Sequence, residues 1–99
     1  MALAFGLGEL SATSEAMTTA HAGGIEIVAL VLRHLSCDWG DITSAAATAN
    51  DEAVTNGRPL RSAYRIAGGD AVVVVTTDGP RRRTIAHLAY GTGVDDRWD

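Results

Sequence analysis

The segment from His34 to Asp41 gathers the side chains of this chain that are best suited to chemistry: an imidazole, a thiol and two carboxylates. Asp38 and Asp41 lie three residues apart, about one helical turn after His34, so their ligand atoms could converge on a small cation. Asn50, further along the chain, could join them around an ion or a nucleotide. This pattern is compatible with a small metal- or nucleotide-binding protein or hydrolase.

A structural interpretation of the same segment competes with the chemical one. The two aspartates can bond backbone N–H groups, Gly40 can relieve a turn, and Trp39 can fill the gap between a helix and a sheet. Only two carboxylates are close in sequence, and Asp41 also suits the N-cap of a following helix. We therefore predict no metal site here. The candidate binding residues of this region are Asp38, Trp39, Asp41 and Asn50.

Nucleophilic catalysis by Cys37 is a weaker hypothesis. A neighbouring imidazolium lowers the pKa of a thiol, so Cys37 could form a reactive pair with His34 or His87. No complete catalytic set can be assembled from this chain, however. We predict no catalytic residue and no cofactor, and we favour a protein that is not an enzyme.

Arginines form the second candidate surface. The chain has no lysine, and six of its eight arginines lie between residues 58 and 83. Arg61 and Arg65 share one side of a predicted strand, and Arg81 and Arg83 share one side of another. If these sides coincide, the guanidinium groups could bind phosphates or a carboxylate-rich protein surface. The alternative is a solvated sheet face that protects an edge.

The charge balance bears on the partner of that surface. A net charge of −4 argues against a protein that binds duplex nucleic acid. Aromatic residues for stacking on single strands are nearly absent between the arginines. Contact with a protein or a phosphate is therefore favoured over base reading, and a nucleic-acid accessory factor remains an alternative.

Three helices are predicted in the first part of the chain. After a short strand within 5–13, Thr13 or Ser14 caps a helix over Glu15–His21. A second helix spans Ile25–Leu35, and its predicted buried stripe is Ile25, Val28, Leu32 and Leu35. The location of His34 in the last turn of this second helix suggests helix termination.

Asp41 caps a third helix over Ile42–Asn56, which ends at Gly57. Its predicted inward stripe is Ile42, Ala45, Ala46, Ala49 and Ala53.

The periodicity changes from about 3.6 to 2 after Gly57, which predicts three strands. Leu60 to Ile66 alternates apolar and basic residues, Ala71–Thr77 is a β-branched run typical of a central strand, and 81–90 supplies the third. Turns are predicted at Gly68-Gly69 and at 78–80. The fold class is therefore α+β: one domain over 1–99, with a short N-terminal strand and two to three helices packed on a three-stranded antiparallel meander. Residues 91–99 are predicted to be a flexible acidic tail.

Composition and the N-terminus predict the compartment. Cys37 is the only cysteine, so the chain can form no internal disulfide, which fits a reducing environment. The N-terminus lacks the pattern of a signal peptide, and no apolar run approaches the roughly 20 residues that span a bilayer. A cytoplasmic protein without a membrane partner is expected.

Several segments, taken in order, resemble a family of small proteins carried by plasmids, integrative elements and phages. The segments are FGLGELSAT, RHLSCDWGDIT, AND followed by RPLRSAYR, and VVVVTT. The family pattern reads roughly RHxxGDWGD, then AND, then RLLSAY. Cys37 stands where the family usually has Gly, Thr77 where it has Glu, and Gly79-Pro80 where it has Asp-Arg. The resemblance covers nearly the whole chain.

The resemblance implies a mobile-element setting. Members of the family are often labelled as a methyltransferase subunit of type I restriction enzymes, or as plasmid-related proteins. A methyltransferase needs a cofactor pocket and a catalytic loop for a flipped base, and this chain contains neither motif. We expect a protein that binds another protein and inhibits a host defence system, of the anti-restriction or anti-CRISPR type. Homodimerisation through an exposed strand or the alanine-rich helix is also considered.

Overall fold

The computed structural model describes residues 6, 8–66, 71–79 and 83–90, and these form three helices and one four-stranded sheet. In chain order the elements are β1 (Glu9–Ala12), α1 (Ser14–Ala22), α2 (Ile27–Leu35), α3 (Ser44–Asn56), β2 (Leu60–Arg65), β3 (Ala71–Thr77) and β4 (Arg83–Tyr90). The α+β class is confirmed. The predictions for Phe5, the turn at Gly68-Gly69, Arg81 and the tail at 91–99 lie outside the described residues.

The strands form one mixed sheet in the order β1-β4-β3-β2. β2, β3 and β4 are successive antiparallel neighbours, which confirms the meander. β1 adds to the free side of β4 and runs parallel to it, so the sheet is not purely antiparallel. β1 can pair in parallel with β4 because the chain between them is long enough to form the crossover connection that a parallel pair requires.

Hydroxyl caps begin α1 and α3. Thr13 accepts a hydrogen bond from Ala16 N at 3.1 Å, as predicted. In α3 the N-cap is Thr43, whose hydroxyl accepts from Ala46 N at 3.0 Å, so the prediction of Asp41 as the cap is wrong. A threonine directly before the first turn competes well for this position. α3 ends as predicted at Gly57, which has a left-handed φ of 70°.

The second helix is confirmed over most of its length. Its predicted buried stripe is confirmed at Leu35 and in part at Ile25, which packs against the core, and is wrong at Val28 and Leu32. The buried residues of α2 are Leu30, Val31, His34 and Leu35. Val28 is 59% exposed and Leu32 is 37% exposed. Seven of the nine residues of α2 are apolar, so an apolar stripe can be drawn on more than one side. Packing against β3 and α1 selects the side that is buried.

The inward stripe predicted for α3 is confirmed at Ala53 and in part at Ile42, and it is wrong at Ala45 and Ala49. Ala45 and Ala49 are exposed, whereas Asn50 and Ala53 are the buried residues. Asn50 is buried because its side chain bonds the edge of the sheet, and this contact orients the helix. The pattern of alanines alone could not predict that orientation, because burial of a methyl group stabilises the protein only slightly and therefore favours neither side of the helix strongly.

The two faces of the sheet have different surroundings. On one face, which we call the helix-covered face, β2, β3 and β4 pack with residues of α1 and α2. This core contains Ala20, Leu30, Tyr64, Ile66, Val73, Val75 and Ala86. On the other face, Ala63, Val72 and Val74 form a smaller cluster under Ile42.

In the part of the chain that the structure describes, no single helix is long and apolar enough to cross a membrane. α1 and α2 meet that criterion only as a pair, and they are bent by 101° relative to each other.

Candidate functional site

Asp38 is bonded to the helix that precedes it. Its carboxylate accepts hydrogen bonds from the Arg33 guanidinium at 2.8 and 3.1 Å, and these bonds lower the pKa of Asp38. The same guanidinium lies 4.6 Å from the centre of the Tyr64 ring. The Tyr64 hydroxyl donates to the main-chain carbonyl of Asp38 at 2.7 Å. The end of α2 is thus attached to β2 through Asp38.

The loop after Asp38 pairs with the outer edge of β2. Ala63 N donates to Trp39 O at 3.1 Å, and Asp41 N donates to Ala63 O at 2.7 Å, so that Gly40 and Ala63 form a parallel bridge. The Asp41 carboxylate accepts from Arg65 N at 2.9 Å. Asp41 therefore satisfies the sheet edge and does not cap α3. The prediction that both aspartates bond backbone N–H groups is confirmed, since Asp38 also accepts from Gly40 N at 3.4 Å.

Asn50 completes the cover of this edge. Its amide nitrogen donates to Arg61 O at 2.7 Å, and its amide oxygen accepts from Arg61 N at 3.2 Å. The side chain thus pairs with β2 as the backbone of another strand would. Asn50, Trp39 and Asp41 together bond the main chain of β2 at three alternate residues, and an edge that is covered in this way cannot pair with another chain.

Trp39 fills the gap between α3 and the sheet, as predicted. It is 5% exposed, packs with Ala53 and Leu60, and donates its indole N–H to Asp51 at 2.9 Å. Its ring also meets the ring of His34 edge-on, with 5.5 Å between the ring centres. The position is therefore central to the packing of the loop.

His34 lies at the centre of a buried network of hydroxyl groups. Its Nδ1 is 2.5 Å from Ser62 Oγ and its Nε2 is 2.9 Å from Thr77 Oγ1, which in turn is 2.8 Å from Thr84 Oγ1. All four side chains are fully buried. His34 lies in the last turn of α2, as predicted, but its ring bonds two hydroxyl groups of the sheet and belongs to the core. Ser62 beside an imidazole resembles a nucleophile beside its base, but no substrate can reach fully buried atoms.

These contacts bear on the chemistry proposed for the loop. Asp38, Asp41 and Asn50 each bind a different part of the chain, and they do not converge on one point. Among the described residues, no group of three or more His, Cys, Asp or Glu side chains is arranged to hold a metal ion. Burial raises the pKa of the Cys37 thiol, which is the opposite of activation. The loop residues thus act as a structural assembly around the edge of β2.

The arginines of β2 and β4 share one face of the sheet. The helix-covered face contains three paired residues, one from each of β2, β3 and β4: Ser62, Val75 and Ala86. Side chains alternate along a strand, so the residues directly before and after these three lie on the opposite face of the sheet. Arg61, Arg65 and Arg83 occupy such positions, and Arg65 and Arg83 are exposed. Because β3 separates the two strands, the backbones that carry these arginines lie about 10 Å apart. We call this surface the arginine face; Arg81 lies outside the described residues.

A hollow of about 210 Å³ opens on the arginine face. Arg61, Val74, His87 and Ala89 line it. Both Arg61 and His87 are half-buried, so part of each side chain remains accessible. The guanidinium and the imidazole could bind a carboxylate, and the aliphatic side chains could contact a short methylene chain that carries it, as in Asp or Glu. Sequence reasoning placed His87 on a strand but did not associate it with Arg61, because strand register decides which residues are neighbours.

Stability at high pH is expected to depend on Tyr64. Burial raises the pKa of its hydroxyl above the ordinary value of about 10, so the folded protein holds this proton more tightly than the unfolded chain. The free energy of unfolding should therefore fall above pH 10, by up to about 1.4 kcal/mol per pH unit. Tyr64→Phe should flatten this fall and cost about 1 kcal/mol at pH 7 through the lost bond to Asp38. Urea unfolding between neutral and alkaline pH measures both effects, and an equally steep fall in Tyr64→Phe would contradict the assignment.

Cys37 is the one non-glycine residue of the described chain with a positive φ, 64°. Such a conformation costs an L-amino acid roughly 1–2 kcal/mol. We expect Cys37→Gly to exceed Cys37→Ala in free energy of unfolding by about 1 kcal/mol, since both remove the thiol and only glycine relieves the backbone. Urea unfolding compares the two variants; equal values would refute a strained Cys37.

Sequence reasoning missed several residues that hold the site together. Ser62, Thr77 and Thr84 are polar residues on the helix-covered face, and Asp51 lies on an exposed turn of α3. A recognisable signal exists only for Ser62, which stands among the apolar residues Leu60 and Tyr64 on the inward side of a strand. A polar residue at such a position needs a buried partner. The partner lies 28 residues away, at His34.

Comparisons of this chain with protein-family models, with curated proteins and with solved structures found no match.

Proposed function

We propose that this chain is a non-enzymatic protein-binding protein of a mobile genetic element, and that its arginine face engages an acidic surface of a host defence complex. The observation that carries the proposal is the shared orientation of Arg61, Arg65 and Arg83 on one side of the sheet. Guanidinium groups bind carboxylates through two parallel hydrogen bonds, and they are enriched in protein interfaces. The mobile-element setting is supported by the family resemblance of the sequence.

The composition of the arginine face favours a protein partner over a nucleic acid. Ile85, His87 and Ala89 follow Arg83 along β4 on this face, and all three are half-buried. They lie across β3 from Arg61 and Arg65, so apolar surface adjoins the basic residues. An apolar centre with a polar border is typical of protein interfaces. The described residues of this face include no Phe, Tyr or Trp on which bases could stack. The net charge of −4 would further oppose a phosphate backbone.

The hollow between Arg61 and His87 suggests how a partner would be held. An Asp or Glu side chain that enters it would meet the guanidinium while its methylene groups cover Val74 and Ala89. A charge-assisted hydrogen bond in a partly desolvated site is stronger than one at an open surface. This contact would supply specificity, whereas the exposed Arg65 and Arg83 would mainly accelerate association.

A defence assay tests the proposal. The full chain is expressed in cells that carry a restriction or CRISPR system, and phage plating efficiency is measured. Expression of the protein should raise plating efficiency, and the double variant Arg65→Glu/Arg83→Glu should lower that effect by at least about tenfold, since each reversal replaces an attraction by a repulsion. Both side chains are exposed, so the variant should fold.

Arg58→Glu is the matched control, because it reverses the same charge just after α3, outside the sheet face. It should retain the activity of the wild type. In parallel, affinity capture with the tagged chain should recover a defence protein that the double variant does not. The proposal fails if plating is unchanged across a panel of defence systems and no host protein is captured. Salt-sensitive binding to DNA or RNA in its place would establish the nucleic-acid alternative.

A further inference from the structure

α2 has an apolar surface on its outer side as well as on its buried side. Val28, Ala29 and Leu32 are exposed, with 59% of Val28 accessible, although the helix already contributes Leu30 to the core. A helix that is apolar on all sides is typically buried on all sides. Its outer surface therefore has the composition of a contact rather than that of a solvated face.

Two opposite charges border this apolar surface on one side. Glu26 is the N-cap of α2 and Arg33 follows it by seven residues, which is about two helical turns, so their Cα atoms lie at about the same angle around the helix axis. Their side chains are 74% and 45% exposed. Each has an intramolecular partner: His21 lies 2.7 Å from Glu26, and Asp38 lies 2.8 Å from Arg33. Both pairs are partly exposed, so each charged group keeps an accessible side for a further partner.

We propose that the outer face of α2 binds a second copy of this chain, with the two α2 helices antiparallel about a twofold axis near Leu30. In this arrangement Val28 of each copy faces Leu32 of the other, and Glu26 of each copy faces Arg33 of the other. Ala29 allows the helices to approach closely. The charges favour a second copy as the partner. In an antiparallel pair, residues at the same angular position on the two helices face each other, and here Glu26 of one copy faces Arg33 of the other, so the charges are opposite.

The size of the surface sets the strength of the dimer. Nine residues of helix extend only about 14 Å, and the area they bury falls below the roughly 800 Å² per partner of a stable interface. The dimer should therefore be weak, with a dissociation constant on the order of 10⁻⁴ M. It would form at high local concentration and dissociate on dilution.

This inference does not rest on the proposed function. α2 packs on the helix-covered face, through Leu30, and the arginine face lies on the other side of the sheet. A dimer through α2 would leave both arginine faces accessible. Failure of the defence assay would leave the dimer intact, and a monomeric protein could still inhibit a defence complex.

Sedimentation velocity of the full chain, from about 10 µM to about 1 mM, measures the association. The wild type should shift from monomer to dimer over this range. Val28→Asp and Leu32→Asp should each raise the dissociation constant by at least about tenfold, and because both residues are exposed the variants should fold. Leu10→Asp is the control: Leu10 is 41% exposed on β1, so the variant tests dimerisation through an edge strand.

A charge exchange tests the geometry. Glu26→Arg places two positive charges on the border of α2, and Arg33→Glu places two negative charges there, so each variant alone should be monomeric. Their equimolar mixture should form a heterodimer, in which both facing pairs are again opposite. Glu52→Arg, an exposed reversal on α3, should leave association unchanged. The inference is overturned by a wild type that stays monomeric to 1 mM, by a mixture that stays monomeric, or by loss of association in Leu10→Asp but not in Val28→Asp.

Discussion

His34→Leu should lower the free energy of unfolding by about 3 kcal/mol, although leucine is similar in volume and more apolar. The substitution removes the His34 partner of Ser62 Oγ and one of the two partners of Thr77 Oγ1, and both side chains are fully buried. A buried hydroxyl that loses its hydrogen bond costs about 1–3 kcal/mol. Urea unfolding followed by circular dichroism gives the value directly.

A combined variant separates lost hydrogen bonds from lost packing. In His34→Leu with Ser62→Ala, Thr77→Val and Thr84→Val, every polar member of the network becomes apolar. Because replacing all partners by apolar groups of similar shape is close to neutral, this variant should recover at least about half of the loss. A loss below about 1 kcal/mol in the single variant would mean that the hydroxyls find other partners, and no recovery in the combined variant would assign the loss to packing.

Gly40→Ala should cost about 3 kcal/mol or more. Gly40 has a φ of 77°, and a Cβ there would fall on the carbonyl oxygen of Ala63 and on the ring of Tyr64. Ala63 cannot move away without breaking its bonds to Asp41 and Trp39, which attach the loop to β2. The cost thus combines an unfavourable backbone conformation with the loss of the edge pairing.

Gly24→Ala is the matched control. Gly24 has a similar φ of 83°, but nothing lies within 4 Å of a Cβ placed there. This variant should show the conformational cost alone, about 1 kcal/mol. Thermal and urea unfolding of both variants give the difference, which measures the close approach of the loop to the sheet. Equal losses would show that the contact at Gly40 relaxes freely.

The loop after α2, helix α3 and strand β2 form one bonded assembly at an edge of the sheet. Residues of the loop and of α3 use their polar groups to bond β2, so the structure requires these side-chain types at their positions. The two surfaces that we propose for partners are the arginine face and the outer face of α2. The experiments proposed above address these two surfaces separately.

Local features of the fold could be predicted from the sequence. The cap at Thr13, the end of α3 at Gly57 and the alternation along β2 each depend on residues within a few positions of one another. The β-branched run of β3 likewise predicted a central strand. The roles of Gly40 and Trp39 in the loop were also predicted, because a turn and an amphipathic ring at a helix–sheet junction have local signatures.

The tertiary structure decided what local pattern left open. An apolar stripe exists on more than one side of α2, and only packing against β3 determined that His34 lies inside and Val28 outside. The partners of His34 are 28 and 43 residues away, so no spacing in the sequence reveals them. Sequence thus determined where the chemistry-bearing residues of this protein lie along the chain. Whether each residue supports the fold or faces a partner was decided by long-range contacts, because burial is a property of the whole packed chain.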